Sequence, residues 1–445
     1  MHNMLPTLKI ADLNDIPSSQ RIFIVGGGIV GAALAFHLSQ AKKGCQIVLI
    51  DRCLQKPLGS TGYAPGFVGQ FNESPILTRL AKDTVSEYLT IPGGFNTVGG
   101  LELSSTPSGV ETLYRRRELA QAAGLPAEII TPETAAHLAP DFIDAETVKL
   151  GLHFASDGTA NAQVITSYYF DQARSQGVDF VEASVTGFST TDHNNGQVAQ
   201  IAAIQTTEGD IYLQGSTVIL ATGIWTSSLT GTAATGDKGS ITGLPIPIVP
   251  VAHPYTFTSP RPLRTGAPYP FVRWLDYHVY ARDHGDRDGL GSYDHAPLQL
   301  DPVDTAVGAW PSSFDQVLTK ATSLLKNGDQ FQIHGNDTDS DPCAVKRPFN
   351  GIFSVTPDNL PLAGKVPDTA NLWMCAAIWV TTAAGTAKLV SRKILGEAEN
   401  SSTSEDERLL EALSPARFQG AGAETLVSQA LGKYNDIYNR DTQGH

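Results

Sequence analysis

Residues 21–40 read RIFIVGGGIVGAALAFHLSQ, and this stretch decides the fold. RIFIV has the apolar run of a buried strand, GGGIVG (26–31) is a glycine turn, AALAFHLSQ has helical composition, and a second strand, QIVLI (46–50), ends at Asp51. Gly26, Gly28 and Gly31 thus form G-x-G-x-x-G directly after a strand and opening a helix, the context this motif requires. The first glycine permits the tight turn, the second lets main chain approach a pyrophosphate, and the third lets helix pack on strand. The helix start offers unpaired N–H groups and partial positive charge to phosphates. Asp51 stands where a carboxylate accepts from ribose hydroxyls.

The rest of the chain is long enough for two or three domains, at 445 residues. Its 41% hydrophobic and 17% charged residues are ordinary for a globular protein. A net charge of −14 disfavours nucleic acid and other polyanions. The basic run Arg115-Arg116-Arg117 is expected to be a solvated helix face. Cys45, Cys53, Cys343 and Cys375 show no C-x-x-C pattern, which suits reduced thiols. No apolar run reaches membrane-span length and no secretory leader precedes the first strand, so the expected location is the cytoplasm, with no membrane partner.

Helical patterns cover roughly 111–139, with Pro132 and Glu133 starting a second helix, and 164–176. Strands then take over: DFVEASVTGFSTT, a hairpin turn at Asn195-Gly196, QIAAIQTT, EGDIYLQ and STVILATG. Residues 230–345 are rich in Pro, Gly, Asp and aromatics, and NLWMCAAIWVTTAAGTAKLVSRKILG reads as strand, small-residue turn and helix. After about 398 the acidic, Ser-rich tail is expected to wrap the surface. The predicted fold class is α/β: a Rossmann-type cofactor domain with an inserted α+β substrate domain carrying an antiparallel sheet. The expected boundaries are 20–95, 150–245 and 346–415 for the cofactor domain, 96–149 and 246–345 for the substrate domain, and 416–445 for a C-terminal extension.

The glycine turn alone does not separate NAD from FAD. Thr217–Gly223, a strand ending in Ala221-Thr222-Gly223, lets backbone pass close to a bound cofactor. With one glycine fingerprint and a strand meander between the two motifs, it favours FAD.

GGGIVGAALAFHLS, GSTGYAPGFVGQ, HFASDGTANA, ILATGIW, PVAHPY, VYARDHGDRDGLGSYDHAP, IFSVTPDNLPLAG and LWMCAAIWVTTAAGTAK together resemble the FAD-dependent amine oxidoreductases of the D-amino acid oxidase type, nearest to the flavin half of dimethylglycine oxidase and of the dimethylglycine and sarcosine dehydrogenases. The resemblance implies oxidation of a small secondary or tertiary amine, of the N-methyl amino acid kind, with O2 as electron acceptor. A tailoring oxidoreductase or monooxygenase acting on a larger amine, or a dehydrogenase using another acceptor, stays open. The dehydrogenases carry a folate-binding second half; this chain ends where that half would begin, so no folate domain is expected and formaldehyde should leave free. Their flavin-linking histidine is matched by Tyr63, and the cysteine linked to flavin in monomeric sarcosine oxidases by Gly351, so the FAD is expected to be non-covalent.

GSTGYAPGF (59–67) then reads as a wall against the flavin ring, with Ser60, Thr61, Tyr63, Ala64, Pro65 and Gly66 near the cofactor. Arg52, Val185, Ala221, Thr222, Gly223 and Trp225 complete the expected contacts, with Thr381 and Thr382 at the turn that opens the last helix and aims N–H groups at developing negative charge. Oxidation next to nitrogen needs the amine lone pair free, hence a proton acceptor or a desolvated site. His253 and Tyr280 match the family residues implicated in substrate positioning and proton handling. A substrate carboxylate would call for an arginine, with Arg273, Arg282 and Arg347 as candidates and His295 as a further substrate-side residue. DHGDRDG (283–289) lacks the register of a calcium loop and is expected to be a solvated hairpin turn, and no metal is expected.

Overall fold

Arg21–Val25 is buried at every position, as a strand covered on both faces must be. The computed structural model describes residues 7–14, 21–41, 45–191, 199–231, 241–301, 305–334, 347–396 and 403–437. In it this strand lies parallel to both Gln46–Asp51 and Thr217–Leu220. Asp179–Glu182 and Leu372–Ala376 extend the sheet in parallel on either side, and Leu362–Lys365 closes one edge antiparallel, giving six strands. Helix Ile29–Ala41 is apolar and small-sided around most of its circumference, and it packs against helices Ala162–Ser175 and Ala383–Leu395. A three-stranded sheet holds Val185–Thr190, Ile201–Thr206 and Ile211–Tyr212. The first two of these pair antiparallel; the expected turn at Asn195-Gly196 lies outside the described residues.

The chain divides into two compact units, Met1–Gly62, Ala162–Pro250 and Ser354–Lys433 in one, and Tyr63–Asn161, Val251–Phe353 and Tyr434–His445 in the other. The first is the Rossmann-type unit. Residues 63–95 and 150–161, expected with the cofactor domain, group with the second unit, where Phe67–Val68 and Phe95–Asn96 both pair with Gly158–Ala160. Within the expected C-terminal extension, helix Ala423–Lys433 groups with the first unit, with Leu426 and Ala430 buried.

The second unit is built on a nine-stranded sheet in the order Val307–Gly308, Phe349–Val355, Val249–Phe257, Asp288–Ser292, Val279–Asp283, Phe271–Trp274, Gly100–Ser104, Leu150–Phe154 and Glu128–Ile130. Phe271–Trp274 runs parallel to Gly100–Ser104, and its other neighbour, Val279–Asp283, is antiparallel. Helices Pro107–Ala122 and Pro132–Leu138 account for the polar region, each begun by a threonine cap, Thr106 and Thr131, followed by proline.

Two charged segments differ from expectation. Arg116 is buried rather than solvated: its Nε and Nη2 donate to both oxygens of Glu102 at 2.7 Å, and Nη1 reaches Glu73. The hairpin between Val279–Asp283 and Asp288–Ser292 is present, yet Asp288 is fully buried, because Arg261 and Arg264 fold over it and Asp283. Among the described residues no helix is long and apolar enough to cross a membrane.

Candidate active site

Each glycine of the first unit's turn has a separate reason. Gly26 has φ +107°, and a Cβ there would lie 2.4 Å from the Ala221 carbonyl oxygen. A Cβ on Gly31 would lie 1.8 Å from the Gly26 oxygen. These two let strand, turn and helix close. Gly28 is different: its Cβ would meet only Thr61 Oγ1, at 3.1 Å, so its missing side chain leaves open space at the helix start. Thr61 Oγ1 accepts from the Ile29 N–H at 3.0 Å, and Asp51 accepts from the Gly27 N–H at 2.6 Å and the Cys53 N–H at 2.9 Å. Burial holds the Asp51 carboxyl above the ordinary range in spite of these donors.

Ala221, Thr222 and Gly223 follow strand Thr217–Leu220 as expected, with the Ala221 N–H donating to Val25 and Thr222 Oγ1 bonded to Thr226 Oγ1 at 2.9 Å. Arg52 lays its guanidinium 4.3 Å from the Trp225 ring, and its Nη2 is shut off from solvent and has no hydrogen-bond partner among the described residues. Val185 starts the small sheet, and Thr381 and Thr382 form a 3-10 turn ahead of helix Ala383–Leu395. The open space at Gly28, the carboxylate at Asp51 and the orphaned Arg52 nitrogen suit an extended polar, phosphate-bearing ligand, so these residues fit FAD.

The second unit gathers the chemistry on one sheet face. Side chains alternate along a strand, so His253, Tyr255 and Phe257 share a face, as do Tyr280, Arg282 and His284. Strand Asp288–Ser292 lies between those two strands and carries Gly289 and Gly291 at the facing positions. A Cβ on Gly291 would come within 2.4 Å of the Tyr280 ring, and one on Gly289 within 2.1 Å of the Tyr255 hydroxyl. The glycines therefore clear the face, letting His253 Nε2 meet Tyr280 Oη at 2.9 Å and Tyr255 Oη meet His284 Nε2 at 2.7 Å across the strand.

His253 is 2% exposed, and its Nδ1 lies 2.6 Å from Tyr434 Oη. His295 Nε2 bonds the same hydroxyl at 2.8 Å, and His295 Nδ1 bonds the Ala296 carbonyl at 2.9 Å. Asn435 fastens this segment by donating to the Tyr293 and His295 carbonyls. Burial pushes His253 well below the ordinary histidine value, so the ring is neutral, and it holds His295 down as well.

The candidate arginines separate by their partners. Arg273 Nη1 donates to Glu102 at 2.9 Å, so its charge is matched within the sheet. Arg282 donates from Nη1 to the Pro65 carbonyl and from Nε to that of Asp283, and among the described residues no carboxylate side chain bonds it. Burial lowers its pKa. Arg347 is partly buried at the start of the segment leading into strand Phe349–Val355. In GSTGYAPGF, Ser60 and Thr61 fall in the first unit, while Tyr63, Ala64, Pro65 and Gly66 fall in the second. The Tyr63 ring lies 6.0 Å from that of Phe349, and Gly66, at φ +75°, allows close approach to the Ala160 carbonyl. A Cβ at Gly351 would make ordinary contacts of 3.4 Å with Phe349 and 3.6 Å with the His253 carbonyl.

Sequence reading missed Tyr255, His284, Tyr434 and the two clearing glycines. The available signal was GLG inside a strand, since glycine at alternate strand positions marks close approach on one face.

One unit with a Rossmann-type sheet, its glycine turn and acid, and another built on a large sheet, are the two parts of a flavoprotein oxidoreductase architecture. The chain belongs to the FAD-dependent oxidoreductase family known as DAO, whose model matches residues 21–393. It is 24% identical over 369 residues to the mitochondrial sarcosine dehydrogenase of Mus musculus, covering 81% of this chain and 37% of that one. It is 26% identical over 374 residues to the formaldehyde-forming 4-methylaminobutanoate oxidase of Paenarthrobacter nicotinovorans, covering 81% and 41%. The chain thus spans about two fifths of the length of these relatives. Among solved structures, L-proline dehydrogenase from P. horikoshii superposes with a TM-score of 0.71 at 22% identity, covering 91% of this chain and 98% of that one.

Proposed function

We propose that the chain is an FAD-dependent oxidase of secondary or tertiary amines, most simply N-methyl amino acids, with dioxygen as the electron acceptor. FAD, when bound, supplies the two-electron acceptor for a hydride equivalent from carbon next to nitrogen, leaving an imine that water hydrolyses. The observation that carries the reading is the buried, neutral His253 bonded to Tyr280 on an aromatic sheet face that also bears Arg282. Arg282, lacking a carboxylate partner among the described residues, suits the carboxylate of an amino acid. Tyr280 and His253 would then take the ammonium proton and free the lone pair. Residues Gly28, Asp51, Thr61, Arg52, Trp225, Ala221, Thr222, Gly223, Val185, Thr381 and Thr382 would hold the FAD.

The test is anaerobic mixing of the yellow protein with sarcosine, N,N-dimethylglycine and 4-methylaminobutanoate while following the flavin band near roughly 450 nm. Bleaching, and recovery on admitting air, is expected. Flavin that no amine bleaches would overturn the proposal, and bleaching by NADPH alone would point to a monooxygenase.

A further inference from the structure

The hydrogen bonds around His253 have a direction that can be worked out. A carbonyl can only accept, so the Ala296 oxygen, 2.9 Å from His295 Nδ1, fixes the proton of a neutral His295 on Nδ1. His295 Nε2 is then an acceptor, and the Tyr434 hydroxyl donates to it across 2.8 Å. Having donated its one proton, Tyr434 Oη accepts from His253 Nδ1 at 2.6 Å. That places the lone pair of neutral His253 on Nε2, where it accepts from the Tyr280 hydroxyl at 2.9 Å. The four groups form one chain in which every donor points from Tyr280 towards His295.

We propose that Tyr434 and His295 extend the Tyr280–His253 pair into a relay that carries the proton of a substrate ammonium group to the protein surface. The inference rests on the reading that Tyr280 meets the amine. The ammonium N–H breaks as its proton joins Tyr280 Oη. The Tyr280 proton moves to His253 Nε2, the proton on His253 Nδ1 moves to Tyr434 Oη, and the Tyr434 proton moves to His295 Nε2. The amine ends neutral and the positive charge ends on His295, which passes a proton to water, after which the chain turns back to its resting direction. No electrons move in these steps.

The surroundings fit this path. His253 is faced by the rings of Tyr280, Tyr293, Phe353 and Tyr434, and among the described residues no carboxylate pairs with it to hold a cation, so the transfers into and out of its ring are coupled. His295 packs on Phe314 beside Asp294, whose carboxylate pairs with Lys320 at the surface, and the His295–Ala296 bond is itself exposed. A His295 held below the ordinary histidine value gives up its extra proton readily near neutral pH. Tyr434 and His295 act through His253 and Tyr280 and do not touch substrate in this scheme, so they are positioning residues.

The experiment uses the FAD-loaded full chain. Tyr434→Phe removes one oxygen and keeps the ring; His295→Gln alters a partly exposed side chain. Flavin reduction by sarcosine or N,N-dimethylglycine is followed from about pH 6 to about pH 10, across the range in which the amine loses its own proton. Each variant should be slowed at least about tenfold at pH 7 and less than about twofold at the alkaline end, where the amine arrives neutral. A loss that is the same at every pH, or no loss at pH 7, would overturn the relay. Nitrogen-15 NMR of the histidines, with no substrate present, tests the direction separately: His253 and His295 should both carry the proton on Nδ1, and in Tyr434→Phe the His253 proton should move to Nε2. The opposite tautomer at His253 in the unaltered protein sinks the relay. If neither amine reduces the flavin, the functional reading fails while the tautomers still judge the relay.

Discussion

Replacing Gly28 with alanine separates the cofactor role of the glycine turn from its folding role. The new Cβ would meet Thr61 Oγ1 at 3.1 Å and nothing else within 4 Å, and Gly28 does not have a left-handed φ. The apoprotein should therefore change in stability by no more than about 1 kcal/mol, in either direction. The same Cβ occupies the space through which main chain approaches a pyrophosphate. Loss of one charge-assisted hydrogen bond there, about 1.5–3 kcal/mol, weakens FAD by roughly tenfold to more than a hundredfold. Gly26→Ala is the contrast: its Cβ would stand 2.4 Å from the Ala221 oxygen and 2.8 Å from the Ala221 carbonyl carbon, at φ +107°. Backbone strain alone costs about 1–3 kcal/mol there, so this variant should lose stability and FAD together. Titration calorimetry of FAD into each apoprotein, with thermal melts of the same samples, reads both quantities. Gly28→Ala binding FAD with unaltered affinity would refute the placement of the phosphates, and an apoprotein as unstable as Gly26→Ala would refute the division of roles.

Arg282→Gln should raise KM for sarcosine at least about thirtyfold, as expected on removing one partner of a buried charge pair, with flavin content unchanged; an equal rise for an amine lacking a carboxylate would refute the anchoring role. Asp157, buried against the backbone N–H of Gln70, has its pKa pushed up to about 7 by burial. A folded value above the unfolded one of about 4 means that this group's contribution to stability is fully present below pH 4 and is lost as pH rises through 7. Asp157→Asn should then flatten the decline in melting temperature between pH 5 and 8, and an unaltered slope would count against the assignment. Acid precipitation should leave the yellow colour in the supernatant, because the resemblance matches Tyr63 and Gly351, neither a histidine nor a cysteine, to the two family attachment positions; colour retained in the pellet would show a covalent link.

The Rossmann-type unit was legible because its signals are local. RIFIV, the glycine spacing and Asp51 lie within one stretch, and each residue type is demanded by the geometry of that stretch. The limits of the two units were less legible, since they depend on pairings such as Phe67–Val68 with Gly158–Ala160, between segments far apart in sequence. Arg116 looked solvated for a similar reason. Its partner Glu102 comes from a neighbouring strand, and in sequence a buried ion pair reads like any other charged run. Tyr434 was invisible as a site residue: it follows helix Ala423–Lys433 in a polar tail, and only the fold brings its hydroxyl to His253.

Charge balance favours Arg282 over Arg273 as the proposed anchor, two arginines that the sequence treats alike. Arg273 and Arg282 lie on neighbouring strands, and Arg273 sits opposite Tyr280 in the sheet register, so position alone would favour it as the substrate anchor. Glu102, however, answers Arg273 at 2.9 Å and Arg116 at 2.7 Å, and its own pKa is lowered by these two cations against the opposing effect of burial. Drawing a substrate carboxylate to Arg273 would add a second anion beside Glu102 in a buried setting, at a cost of several kcal/mol for the extra unpaired charge. Arg282 has the reverse deficit: its Nη1 and Nε donate to carbonyl oxygens, among the described residues no carboxylate bonds it, and burial lowers its pKa although nearby Tyr255 and Asp283 partly offset this. A carboxylate arriving there relieves that deficit, and the anchoring proposal therefore rests on Arg282.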